Sequence, residues 1–179
     1  MEDWIAKEGY PGRGGATYVP RLNAYNFAIY SKHATSVRLN LYRAGAVVEP
    51  FFTYGFDPLR NKTGRIWHCI IPESAARDAV YYSYTVDGPS NPAEGYRFDP
   101  DKVLLDPYAR AVYFPPDFDR QAACHPGSNA GRAPLGVMCC SDSGRRHETD
   151  RTPRMHGHDL VIYEAHVRGF TRHSSSCVD

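Results

Sequence analysis

The sequence has little charge of either sign to spare. Its 21 Lys and Arg face 20 Asp and Glu, for a net charge of +1. A nucleic-acid binder needs a clear basic excess to neutralise phosphates, so no nucleic-acid partner is expected. It has no apolar stretch near the ~18 residues that argue for a membrane span, so no membrane partner is expected either. The opening Met1-Glu2-Asp3-Trp4 lacks the basic and apolar regions of a secretory signal. The five cysteines are odd in number and irregular in spacing, unlike a disulfide framework. Together these place the chain in a reducing cytoplasm with free thiols. No convincing amphipathic helix is present, and 179 residues fall short of the ~250 of a complete α/β barrel.

Site motifs are scarce too. Gly12-Arg13-Gly14-Gly15 follows no strand and opens no helix, which excludes a phosphate loop. His156 and His158 could be drawn with Cys139, Cys140 and His147 as a metal site, but the spacing matches no structural zinc pattern. They are expected to be loop residues, with no metal and no cofactor. No Ser-His-Asp arrangement is argued by spacing.

What the chain does have is apolar matter in a β pattern. Hydrophobic residues make up 42% and aromatics 13%, enough for a core. Tyr25, Phe27 and Ile29 alternate with other residues, as do Val37, Leu39 and Leu41. Ile66–Ile71 is a denser run closed by Pro72. Val80, Tyr82, Tyr84 and Val86 alternate again, and Asp87-Gly88-Pro89 ends them with turn chemistry. Period two with a polar second face marks half-buried antiparallel strands. The expected fold is all-β, an immunoglobulin-like β-sandwich with an extended docking arm, over residues 1–114. Residues 115–158 lose periodicity and read as an irregular linker loop. Residues 159–179 open on the continuous apolar run Leu160-Val161-Ile162-Tyr163, the pattern of a strand buried on both faces in a parallel sheet. That reads as the first strand of an incomplete α/β (TIM) barrel.

Four blocks carry a family resemblance. Asn26-Phe27-Ala28-Ile29-Tyr30-Ser31 with Ala34-Thr35-Ser36-Val37-Arg38-Leu39 resembles an "NFALFS…AT.V.L.LF" opening. Trp67-His68, then Tyr84-Thr85-Val86-Asp87-Gly88-Pro89, resembles "WH…Y.YRVDGP". The stretch from Gly95 to Ala109 resembles "G.RFNP.K.LLDPYA", and that from Val161 to Thr171 resembles "VIYE.HVRGFT". Their order is that of the isoamylase and glycogen-debranching branch of family 13 glycoside hydrolases. The resemblance implies a carbohydrate-binding module of family 48 followed by the first strand of the catalytic barrel, with Tyr163, Glu164, His166 and Arg168 as a structural strand motif. It departs from the pattern at Ser174 and Cys177, where the family more often has Pro and Gly.

The resemblance also implies a retaining hydrolase acting on α-1,6 branches of glycogen or a related α-glucan. Such chemistry needs two carboxylates about 5–5.5 Å apart. In the family these sit on later barrel strands, past position 179, so no catalytic residue is expected here and the piece alone should be inactive. Its partners would be an α-glucan (glycogen or a maltooligosaccharide) and the missing catalytic barrel. Glu164 is expected to be a structural carboxylate paired with a neighbour such as Arg168. Sugar contact calls for aromatic faces, and Trp67 is the first candidate, with Tyr54 and Tyr82 behind it. The competing reading packs Trp67 in the sandwich core. A stand-alone α-glucan-binding or scaffold module remains the alternative function.

Overall fold

A computed structural model describes residues 8–12, 14–138, 161, 163–170 and 172–176. The chain divides into two compact units, 1–143 and 144–179.

The first unit is a β-sandwich. One sheet runs β1 (Gly15–Val19), β2 (Ala24–Tyr30), β6 (Ile66–Pro72) and β5 (Lys62–Thr63), in that spatial order. The other runs β10 (Val112–Tyr113), β11 (Leu135–Val137), β7 (Tyr81–Asp87), β3 (Ser36–Tyr42) and β4 (Phe52–Gly55). All these pairings are antiparallel. A small ribbon joins β8 (Ser90–Asn91) to β9 (Tyr96–Arg97). One helical turn, α1 (Glu73–Ala76), links β6 to β7.

Register puts like with like. Tyr25 faces Ile71, Phe27 faces Cys69 and Ile29 faces Trp67 across β2 and β6. Val37 faces Val86, Leu39 faces Tyr84 and Leu41 faces Tyr82 across β3 and β7. These side chains all belong to one buried core between the sheets. The two-residue side-chain period is thus the parity that decides which set is buried. Rings bridge the layers: Phe27 meets Tyr82 edge-on at 5.5 Å, and Phe56, just after β4, meets Trp67 at 6.5 Å. Cys69 lies in this core, and burial pushes its thiol well above the usual range, which leaves it inert.

The back of the first sheet is covered as well. The segment at Glu8–Tyr10 lies over Asn26 and His68. Tyr10 N donates to Asn26 Oδ1 at 2.9 Å and Asn26 Nδ2 donates to Tyr10 O at 3.1 Å. His68 Nδ1 donates to Glu8 O at 2.6 Å. A carbonyl can only accept, so Nδ1 carries the hydrogen of that bond, and Nε2 pairs with the Thr63 hydroxyl at 2.9 Å. Gly9 has φ +68°, and a Cβ there would lie 2.6 Å from Asn26 Oδ1. Only glycine lets the strap lie this close.

Two expectations are corrected. The sandwich does not stop at 114. Residues 115–138, expected as irregular linker, include a helical turn α2 (Gln121–Cys124) and the strand β11, which inserts between β10 and β7. Gly136 permits this approach, since a Cβ would sit 2.5 Å from the Tyr82 ring. Residues 139–158, with the Cys139, Cys140, His147, His156 and His158 grouping, lie outside the described residues.

In the second unit, Val161 and Tyr163–His166 form no strand, and Val167–Phe170 is one helical turn, α3. Gly169 N donates to His166 O at 2.9 Å and is shared with His166 Nδ1 at 3.0 Å. Val161 and Tyr163 are exposed. A parallel strand needs ladder partners on both sides, and the described residues supply none here. Glu164 is exposed too, and the Arg168 side chain expected beside it lies outside the described residues.

Truncating Trp67 tests the core assignment. The ring is fully buried, so Trp67→Ala is expected to cost about 3–5 kcal/mol of unfolding free energy in denaturant titration. A loss below about 1 kcal/mol would mean the ring does not fill the core.

Candidate functional site

The three aromatics proposed from sequence do not form a binding surface. Trp67 is fully buried, its Nε1 donates to Ser31 O at 3.2 Å, and the Lys62 ammonium sits 4.4 Å over its ring. Tyr82 is buried as well. Tyr54 is half-buried against Phe56 at 5.8 Å, and its hydroxyl donates to Asn61. A ring whose faces are covered by protein has none left to stack on a sugar.

Exposed aromatic surface instead follows the arm that leaves the sandwich after β9. Two backbone bonds start the arm: Tyr84 N donates to Leu104 O at 2.9 Å and Leu104 N donates to Tyr84 O at 2.8 Å. Buried Asp106 continues it. One carboxylate oxygen accepts from Tyr82 Oη at 2.9 Å, the other from Tyr108 N at 2.8 Å. Burial nevertheless holds the Asp106 carboxyl above its ordinary 3.8, because these two bonds only partly offset desolvation.

The arm borders an apolar groove of about 580 Å³, lined by Tyr30, Val86, Phe98, Leu104, Leu105 and Pro107 among others. Tyr30, Leu104 and Tyr108 keep 51%, 39% and 53% of their surface exposed. Ser31, Arg97, Asp99 and Lys102 also line this groove.

A second groove, of about 780 Å³, has a different chemistry. One wall is the turn between β3 and β4, with Val48 and Glu49; the other is Tyr113, Pro116, Asp117 and Arg132. Tyr113 stacks on Tyr81 at 4.3 Å and 19°, which fixes the plane of its ring. Just beyond it Phe114 and Phe118 form an exposed edge-on pair at 4.9 Å. Arg132 lies 3.7 Å from Asp119 and donates to Ser128 O at 3.0 Å. An aromatic ring held in place, two exposed carboxylates and a guanidinium are the groups that grip a pyranose, whose faces are apolar and whose rim is hydroxyl. Among the described residues no cluster of His, Cys, Asp and Glu is placed to hold a metal.

Sequence reasoning missed this groove because it ended the sandwich at 114. A signal was present in Tyr113-Phe114-Pro115-Pro116-Asp117-Phe118, an aromatic cluster stiffened by two prolines.

Comparison with known proteins agrees with the β-sandwich fold. The profile of carbohydrate-binding module 48, described as the isoamylase N-terminal domain, matches residues 14–109. Isoamylase 1, chloroplastic, of Arabidopsis thaliana is 35% identical over 185 residues, covering 98% of this chain and 22% of that protein. The glycogen debranching enzyme of Cronobacter sakazakii is 36% identical over 152 residues, covering 82% of this chain and 22% of that protein. The chain thus spans about a fifth of these relatives' length. Among solved structures, the pullulanase SAP of Group B Streptococcus aligns with 73% of this chain and 15% of its own, at 16% identity and TM-score 0.50, a likeness of fold.

Asp106 makes the anchoring of the arm pH-dependent. Its folded-state pKa is raised, so the folded state binds more protons than the unfolded state and stability falls as pH rises through that window. Measured against Asp106→Asn, the wild type should have its greatest relative stability below about pH 4 and lose ground as pH rises through the raised pKa. A stability difference that grows with pH over that range would contradict the assignment.

Proposed function

Because the chain belongs to carbohydrate-binding module 48, the isoamylase N-terminal domain family, we propose that it is the N-terminal part of a debranching glycoside hydrolase. The substrate is an α-1,6-branched α-glucan such as glycogen. The observation that carries this reading is the match over residues 14–109, which runs from the edge of β1 through the Asp106 anchor of the arm. Two carboxylates of a barrel outside this chain carry out the double displacement. Residues 159–179 are the stub that carries the first strand of that barrel, which forms once neighbouring strands complete its ladder.

The chain's own residues contribute in two ways. The apolar groove at Tyr30, Phe98, Leu104 and Leu105 packs against the catalytic domain. The groove at Tyr113, Glu49, Asp117 and Arg132 holds an outer α-glucan segment. Even weak retention there raises the effective concentration of neighbouring branches at the barrel. A stand-alone glucan-binding role is the second reading, favoured by the fact that this chain supplies both walls of the groove.

Reading the gene past codon 179 separates the two. The hydrolase reading expects an open frame into barrel strands. It also expects reducing-end release from glycogen by the whole product and none by residues 1–179. A stop with no barrel frame overturns it. Calorimetry with maltoheptaose tests the groove: Tyr113→Ala should weaken binding about tenfold, about 1.4 kcal/mol, without unfolding the sandwich. Unchanged affinity would move the sugar elsewhere.

A further inference from the structure

Lys102 is a buried lysine with an unusual set of partners. Its residue is 8% exposed, although lysine is seldom fully buried without pairing. The Nζ donates to Ala122 O at 2.8 Å and also to His125 O and Gly127 O. Those three carbonyls saturate the three N–H donors of an ammonium. The Asp99 carboxylate, 3.9 Å away, supplies the counter-charge. Three backbone carbonyls and a carboxylate around one positive centre form the oxygen shell that loops usually build around a metal ion.

What this shell organises is the wall of the sugar groove. Ala122 lies in α2, and His125 and Gly127 follow it, in the segment that carries the chain from Asp117 to Arg132. Buried Asn129 holds the next part: its Oδ1 accepts from Val103 N at 2.7 Å and its Nδ2 donates to Val103 O at 3.1 Å. Backbone carbonyls of Asn129 and Arg132 then accept from Ala133 N at 3.0 Å and Asp119 N at 3.2 Å. Lys102 and Val103 are neighbours on the arm. Lys102 also lines the apolar groove.

We propose that the Lys102 ammonium is a built-in cation that takes the place of a bound metal ion, folding residues 119–133 into the wall of the glucan groove. Lys102 is a positioning residue that acts through Arg132 and Asp117. As a wall of the apolar groove it also ties the order of the sugar groove to whatever packs on the arm. The glucan part of this inference rests on the function proposed above; the ordering part does not.

Amide hydrogen exchange of the chain tests it directly. Lys102→Ala removes the cation and leaves its oxygen shell. The amides of Asp119, Arg132 and Ala133 should then exchange at least tenfold faster, with those of β2 and β6 unchanged. Propylammonium, which carries three N–H donors, should restore their protection and the affinity for maltoheptaose together. Tetramethylammonium, which has none, should not. Retained protection in Lys102→Ala, or equal rescue by tetramethylammonium, overturns the proposal. Should Lys102→Ala unfold, Lys102→Met keeps the apolar stem: loop-specific loss of protection without rescue supports the proposal, and retained protection overturns it. If the amides respond as expected but the wild type binds no maltoheptaose, the glucan reading fails and the built-in cation stands.

Discussion

Tyr82 is where the parts of the sandwich meet. Its ring packs between Phe27 and Tyr84 in the core, and its hydroxyl must find an acceptor there, because a buried polar group without one is costly. Asp106 supplies the acceptor, and with it the arm is tied to the start of β7. The same ring is the floor over which Gly136 brings β11 into the sheet. One aromatic side chain therefore fixes the core, the arm and the added strand relative to each other. Asp106 stays above its ordinary pKa because the bond to Tyr82 Oη only partly offsets its burial.

This economy excludes the core aromatics from recognition. Trp67 and Tyr82 do their work by being covered, and a covered ring has no face for a sugar. Recognition chemistry moves to the rim, where loops leave rings and charged groups accessible on a rigid scaffold. Tyr113 holds its orientation through Tyr81, and the two prolines after it limit how far the wall can relax.

The two grooves are lined by different segments of the chain. The apolar one has the character of a surface that another domain covers. The other mixes an aromatic ring with carboxylates and a guanidinium, and suits a ligand both apolar and hydroxylated. Lys102 and Val103 touch the segments behind both. Under the function proposed above, holding the groove wall from the arm would place substrate and catalytic domain on one frame.

Much of the fold was legible in the residues. Alternation in Tyr25-Phe27-Ile29, Val37-Leu39-Leu41 and Tyr82-Tyr84-Val86 identified three strands and their buried faces, because side-chain parity is a local property of extended chain. The ordered motif blocks identified the family. The sequence did not reveal β11, whose three residues carry too short a pattern and owe their place to Tyr81 and Tyr82 across the sheet. Nor could it say whether a mid-strand tryptophan looks inward or out to a ligand, since both uses leave the same spelling. The shell around Lys102 was invisible for a further reason: its ligands are backbone carbonyls, which every residue has. Local periodicity thus determined the strands by itself. Tertiary structure decided the burial of Trp67, the groove at Tyr113 and the partners of Lys102, because each depends on atoms that meet only once the chain has folded.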